Sequence, residues 1–399
     1  MTWITTDILI SGGGVAGLTA AAAFGSAGFS VLCVDPDAPI TDAESEGADL
    51  RTTAVLHPSV PVLQDAGLWA RLHPFAAPLQ VMRIIDAGGP EPVPRVIRDF
   101  DAADISDQPF GWNLPNWLLR REMVARLADL PTVDFRPGLA STRLLTRESE
   151  ALVTLSDGTR VAARMVIAAD GRNSTIRQAL GIGVRTTRYG QKALAFAVTH
   201  TVPHHNVSTE IHRSGGPFTL VPLPDRDGRP CSAVVWMENG PEVLHLAALP
   251  VPAFEAAMTT RSCGILGPLT LASRRTVWPI ISQIADRMAG ERCALMAEAA
   301  HVLPPIGAQG LNMSLADLRV LLSLALADPA GLGGTRMLDA YHRQRHWQVQ
   351  ARITGIDALN RASMMGNPAM HALRAAALNT LHSVAPLRRS LMKAGLGIR

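Results

Sequence analysis

Asp7-Ile8-Leu9-Ile10-Ser11-Gly12-Gly13-Gly14-Val15-Ala16-Gly17-Leu18 decides how the chain is read. A short apolar run, the pattern of a buried strand, breaks into three glycines. An alanine-rich run from Leu18 to Ala27 follows and predicts a helix. A second apolar run, Ser30 to Val34, ends at Asp35. The order is strand, turn, helix, strand, with Gly12, Gly14 and Gly17 in G-x-G-x-x-G spacing. In this arrangement Gly12 permits the tight turn, Gly14 lets a pyrophosphate approach the backbone, and Gly17 lets helix and strand pack closely. The helix start offers unpaired N–H groups and a positive dipole end to phosphates. Asp35 stands about 20 residues on, where an acid holds a ribose hydroxyl. The pattern predicts dinucleotide binding and does not choose between NAD and FAD.

Length and composition set the bounds around this motif. With 399 residues the chain is long enough for two domains with cores of their own. Apolar residues make up 47% and charged residues 18%, so a globular protein is expected. A net charge of +3 gives no argument for nucleic acid as a partner. Cys33, Cys231, Cys263 and Cys293 are scattered, which fits a reducing compartment and no metal cluster. The N-terminus lacks a basic n-region, so no signal peptide is expected. No apolar span reads as long enough to cross a bilayer, and a cytoplasmic protein, soluble or peripheral on the inner membrane, is expected.

Two further stretches carry chemistry. The run Met165 to Ala169 reads as a buried strand and ends at Asp170-Gly171-Arg172-Asn173-Ser174, with Arg177 beyond. An acid at the carboxyl end of such a strand sits where open α/β sheets bind ligands. The third stretch is Ala294 to Asn312: a strand ending at Glu298, a loop with Pro304, Pro305, Gly307 and Gly310, then an amphipathic helix from Met313 to Ala327. Such a loop presents the amides of Gly310, Leu311 and Asn312 at a helix start, ready to hold partial negative charge.

Between these landmarks, residues 36–60 read as a loop region, and Arg51 within it as a phosphate partner or a solvated surface arginine. Residues 62–73 and 116–130 read as helices, with Arg120 and Arg121 early on the second. Residues 79–100 predict a hairpin with its turn at Gly88-Gly89-Pro90, and 185–280 predict an antiparallel sheet. His200, His204, His205, Glu210 and His212 lie on or near that sheet without metal spacing. From Met337 onward the chain predicts helices broken at Pro368 and Pro386. No acid follows Asp357, while Arg361, Arg374, Arg388, Arg389, Lys393 and Arg399 are interleaved with apolar residues. That tail reads either as a membrane-surface segment or as helices packed on the protein with a solvated basic face.

Taken together, the three stretches resemble the single-component FAD-dependent aromatic hydroxylases. The third is close to the AAHxxPPxGAxGLN segment of para-hydroxybenzoate hydroxylase, and Ala169 to Arg177 matches the ADGxxSxxR pattern. Arg51-Thr52-Thr53-Ala54, Asn116 and Pro386-Leu387-Arg388-Arg389 resemble the ubiquinone-biosynthesis hydroxylases more than the small-phenol ones. The resemblance implies an α/β fold. A Rossmann-like FAD-binding domain of the glutathione reductase type would comprise residues 1–78, 101–184 and 280–340. A β-sheet substrate domain would comprise 79–100 and 185–279, and a helical region 341–399.

The resemblance also implies roles. Gly12, Gly14, Val15, Ala16 and Gly17 hold the FAD pyrophosphate. Asp35 takes the adenosine ribose, where the family more often has Glu. Arg51 and Arg121 stand near the flavin and its phosphates, Asp170 beside the pyrophosphate, and Glu298 at the ribityl chain. Pro305, Gly307, Gly310, Leu311 and Asn312 pack on the isoalloxazine. Pro305 and Gly310 form the catalytic flavin face, with no nucleophile expected. Ala297-Glu298 departs from the family's Gly-Asp.

The implied chemistry is reduction of FAD by NAD(P)H, formation of a flavin C4a-hydroperoxide with O2, and oxygen transfer to an electron-rich phenol carbon. The implied substrate is a polyprenylated phenol of ubiquinone synthesis, with peripheral membrane contact through the tail and membership of a biosynthetic complex. Two alternatives stay open: hydroxylation of a small soluble phenol, and a flavin-binding assembly subunit without turnover. A halogenase is not expected, because the Trp278-Pro279 segment lacks the W-x-W-x-I-P pattern.

Overall fold

The computed structural model describes residues 3–89, 91–213, 215–364 and 378–397. Pro90, Pro368, Arg374 and Arg399 lie outside the described residues. The first sheet is built on the strand Trp3–Ser11. It pairs in parallel with Val31–Asp35 on one side and Arg160–Ala168 on the other. Val133–Pro137 extends one edge and Cys293–Leu295 the other, both in parallel. Ile8, Leu9 and Ile10 are fully buried, as strands covered on both faces must be. Ser11 is in register with both Val34 and Ala168. Three strands therefore end on one line, which brings the glycine turn, Asp35 and Asp170 to the same carboxyl edge.

The helix Val15–Ser26 is buried from Gly17 to Gly25. Its alanines let it lie close between this sheet and its neighbours. Thr52–Leu56 falls in the stretch expected to be loop, but it is a strand. It pairs antiparallel with Gly111–Pro115, which pairs in turn with Ala77–Leu79. The helix expected over 62–73 is two short helices, Val60–Asp65 and Trp69–Leu72, with Gly67 at φ +70° between them.

The second large sheet runs in the order His301–Val302, Thr276–Ala285, Val184–Thr199, Arg229–Asn239, Pro217–Arg226, Val207–His212, Val81–Asp86 and Val96–Asp101. All of its pairs along this order are antiparallel except Val207–His212 with Val81–Asp86. The span 185–280, expected to be strands, also holds two helices, Gly240–Ala248 and Val251–Arg261. Asn239 starts the first by accepting the Glu242 N–H, with Pro241 in the opening turn. Val243, Leu246, Phe254 and Met258 close one face of the sheet over Phe196, Phe218 and Trp236. Thr276–Ala285 is a single strand, so the boundary expected at residue 280 falls inside it.

The loop after His301 is fixed by a buried charge cluster. His301 Nε2 lies 2.6 Å from one Asp317 oxygen, and Arg345 Nε donates to the other at 2.7 Å. Arg345 also donates to the Met313 carbonyl. Asp317 sits on the helix Gln309–Ala327 and Arg345 on Thr335–Met364, so one carboxylate ties a sheet edge to two helices. Gln309–Ala327 is long and apolar enough by composition to cross a bilayer, but half of that window is buried inside the protein. Burial alone would raise the Asp317 pKa. His301 and Arg345 outweigh it and hold the carboxyl below its usual range. A depressed folded pKa gives stability that is complete above the unfolded value of about 4 and is lost as pH falls through the folded value. Asp317→Asn should cost about 3–5 kcal/mol at neutral pH, and its stability should fall less steeply on acidification than the wild type's. Urea titrations across pH would measure both.

Candidate active site

The glycine turn shows why it needs glycine. Gly12 has φ +117°, and a Cβ there would lie 2.2 Å from the Ala169 carbonyl oxygen. A Cβ on Gly17 would meet the Gly12 oxygen at 1.8 Å. A Cβ on Gly14 would meet nothing within 4 Å, so the turn opens outward there. No side chain caps the helix Val15–Ser26. The first-turn amides of Val15, Ala16 and Gly17, which have no intrahelical acceptor, face this opening. Asp35 is drawn onto the turn itself. Its Oδ2 accepts the Gly13 N–H at 2.5 Å and its Oδ1 the Asp37 N–H at 2.9 Å. Each oxygen keeps a lone pair for a ribose hydroxyl.

Asp170 follows the adjoining strand. Its Oδ2 accepts the Thr175 hydroxyl and the Ile176 N–H, while its Oδ1 is buried with no partner. Ser174 accepts the Arg177 N–H and starts the short helix Thr175–Ala179. The Arg177 side chain is buried. It donates to the Ala299 carbonyl at 2.8 Å and the Arg172 carbonyl at 2.9 Å. The end of the second stretch thus clamps the third in place.

Ala297 has φ +55°, in the left-handed region, and is buried. A Cβ there costs about 1–2 kcal/mol, which is why the matching position favours glycine. Glu298 is about half exposed, with an oxygen 3.8 Å from Arg172 Nε. Pro305, Gly307 and Gly310 are exposed, and a Cβ on Gly310 would meet nothing within 4 Å. The helix Gln309–Ala327 has no side-chain cap, so the amides of Gly310, Leu311 and Asn312 stand at its open end. The Asn312 side chain is a latch. It donates to the Ala54 and Ala308 carbonyls and accepts the Leu56 N–H.

Arg51 joins this site. It donates two 2.7 Å hydrogen bonds to Asp49 and lies 5.3 Å over the Trp278 ring, and the hydrogen bonding to Asp49, with the Glu298 charge adding to it, raises its pKa. Asn116 donates to Asp49 and accepts the Thr53 hydroxyl. Arg121 does not reach this group: it lies over Phe75 and Trp117 and pairs with Glu122. Its neighbour Arg120 does, at 3.7 Å from Asp49 and with a buried Nε that has no partner. One residue along a helix turns a side chain by about 100°, and the Asn116-to-Arg120 spacing was the available signal.

Away from this cluster, the histidines hold structure. His200 bonds the Val202 carbonyl and Ser232, His204 the Leu223 carbonyl, and His212 pairs with Glu210. Among the described residues no three His, Cys, Asp or Glu groups are placed to hold a metal ion.

An open glycine turn, two uncapped helix starts, an orphaned Asp170 oxygen and an orphaned Arg120 nitrogen fit one extended ligand with a pyrophosphate. A family profile described as "FAD binding domain" matches residues 5–355. The chain belongs to this family of FAD-dependent aromatic monooxygenases. Ubiquinone hydroxylase UbiL of Rhodospirillum rubrum is 32% identical over 98% of this chain and 89% of its own length. The 3-demethoxyubiquinol 3-hydroxylase of Escherichia coli is 24% identical, with all of both chains covered. Among solved structures, p-nitrophenol 4-monooxygenase PnpA from Pseudomonas putida shares the fold at a TM-score of 0.80 and 19% identity, over 100% of each chain. The flavin-dependent monooxygenase PieE, solved with FAD and substrate, shares it at 0.71 and 22%, over 99% of this chain and 72% of its own.

Arg120→Ala should weaken FAD retention roughly tenfold, the loss of one charge-assisted contact. Arg121→Ala should leave it within about twofold. Flavin released on dialysis against graded FAD concentrations would measure both.

Proposed function

We propose that this monooxygenase hydroxylates the aromatic ring of a polyprenylated phenol in ubiquinone biosynthesis, using O2 and NAD(P)H. The observation that carries the reading is the likeness to ubiquinone hydroxylase UbiL along nearly the whole chain. FAD, when bound, supplies the electron transfer from reductant and the activation of O2. The protein's part is to bind, orient and keep water out.

The residues present suit that part. Gly12 to Gly17 would hold the pyrophosphate with Asp170 beside it, Asp35 at the adenosine ribose and Glu298 at the ribityl chain. Pro305, Gly307, Gly310, Leu311 and Asn312 would face the ring, and the helix-start amides would stabilise negative charge on its edge. Trp278, Ile280, Ala193 and Met237 of the antiparallel sheet pack with Ile306 of the loop and Ile356 of the long helix. This apolar wall beside the loop suits a greasy aromatic substrate and a reaction that must exclude water.

The tail supports a membrane-borne substrate. The helix Ala385–Leu396 packs on the protein through buried Met392 and through Arg388, which donates to Asp104 at 3.0 Å. Val384, Leu387 and Leu391 stay exposed, spaced along one face, beside exposed Arg389 and Lys393. The two readings of the tail thus describe its two sides. An apolar stripe flanked by cations suits an anionic membrane surface.

Deleting the gene should make a prenylated precursor accumulate that lacks one ring oxygen, and restoring the gene should remove it. Mass spectra of the lipid extract would read both. A quinone pool unchanged in a strain stripped of its other ring hydroxylases would contradict the proposal.

A further inference from the structure

We infer that the helix Ala385–Leu396 is a strap through which contact with an anionic bilayer tightens the loop that holds the flavin. The inference rests on reading the chain as a flavoprotein that works at a membrane surface. Both ends of the strap are tied to the protein. At its start, His382 Nε2 donates to the Asp99 carbonyl at 2.9 Å, and Arg388 Nε donates to Asp104 at 3.0 Å. Asp99 lies on Val96–Asp101, the edge strand of the second large sheet. At the other end, the last carbonyls of a helix have no intrahelical partner, and two side chains from the body of the protein take them. Arg352 Nη1 donates to the Ala394 and Gly395 carbonyls at 3.0 and 3.2 Å, and Gln309 Nε2 donates to the Gly395 carbonyl at 3.0 Å.

Gln309 is the coupling point. The same amide nitrogen donates to the Gly307 carbonyl at 2.7 Å. One buried side chain therefore bridges the strap and the loop from Pro304 to Ala308. Arg352 gives a second route, since it shares the helix Thr335–Met364 with Arg345, which holds Asp317. Gly397, at φ +76°, turns the chain directly after these contacts.

Chemistry selects the partner. The strap has twelve residues and buries Met392 alone, and a helix that short is marginal in water. Val384, Leu387 and Leu391 stay exposed beside Arg389 and Lys393. That stripe exists only while the segment is helical, so a surface that binds the stripe favours the helix over the frayed chain. An anionic bilayer fits it, with apolar depth for the leucines and phosphates for the cations. The sequence has no acid after Asp357 to oppose such a surface. Each intact last turn presents the Ala394 and Gly395 carbonyls to Arg352 and Gln309, so lipid contact outside stiffens the loop inside.

The test uses the FAD-loaded protein with vesicles of phosphatidylglycerol and phosphatidylcholine, or of phosphatidylcholine alone. Flotation reads binding, and the rise in free-flavin fluorescence after dilution reads the rate of FAD release. The protein should float with the anionic vesicles, which should slow FAD release about fivefold; neutral vesicles should do neither. Leu387→Glu/Leu391→Glu should neither float nor show the slowing. The surface reversal Arg389→Glu/Lys393→Glu should behave the same way, with an unchanged melting temperature. Gln309→Ala/Arg352→Ala should float like the wild type but lose the slowing, read as the ratio of release rates with and without vesicles. Wild type that fails to float, or that floats with an unchanged release rate, overturns the proposal. So does slowing that survives in the Gln309/Arg352 variant, or equal slowing by neutral vesicles. Because no phenol enters the assay, failure to hydroxylate a prenylated phenol would leave this result standing, and the two failures remain distinct.

Discussion

The carboxylate of Asp317 is the point on which the rest depends. It is fully buried, and it accepts from His301 on one side and Arg345 on the other. Such a charge persists in a protein interior only when its partners are fixed, and fixing them orders three elements at once. The loop from Pro304 to Ala308 is suspended between this cluster and the Asn312 latch on the strand Thr52–Leu56. Arg177 adds a third tie through the Ala299 carbonyl. A loop held this way can offer backbone amides and a flat apolar surface without moving when a ring arrives.

This arrangement also explains which parts of the sequence could be read. The glycine turn was legible because Gly12 and Gly17 have no room for a Cβ, a constraint that sequence spacing records directly. The Ala169–Arg177 and Ala294–Asn312 stretches were legible as motifs, but their inner workings were not. Nothing local in the sequence says that Arg177 clamps Ala299, or that His301 is held by an acid 16 residues later which an arginine on another helix holds in turn. Those are tertiary pairings between residues far apart in the chain. The strand Thr52–Leu56 was hidden because its partner, Gly111–Pro115, is distant and it borders acidic loop sequence. The helices from Gly240 to Arg261 lie inside a span read as sheet, although Asn239-Gly240-Pro241-Glu242 carries a local helix-capping signal.

Residues whose burial is two-sided are the ones in which sequence and structure speak together. Ala297 is one. Its backbone is left-handed, its N–H lies 3.5 Å from an Asp317 oxygen, and the chain carries a Cβ there at a modest energetic cost. Glu298 beside it keeps a carboxylate facing Arg172 and Arg51. The acid is thus poised between two cations at the junction of the parallel sheet, the small sheet and the Trp278 strand. The tail helix completes this junction from outside, because the Gly395 carbonyl accepts Gln309 at the start of the loop helix. Whatever the exposed Leu387 and Leu391 touch is therefore one helix away from the flavin loop.

The most direct measurement is a reconstituted turnover. Purified protein loaded with FAD would be given NAD(P)H, isotopically labelled O2 and a prenylated phenol in anionic liposomes, and the lipids would be analysed by mass spectrometry. The account predicts one labelled oxygen on the aromatic ring. Reductant consumed to hydrogen peroxide with the phenol unchanged, or a protein that retains no flavin, would contradict it.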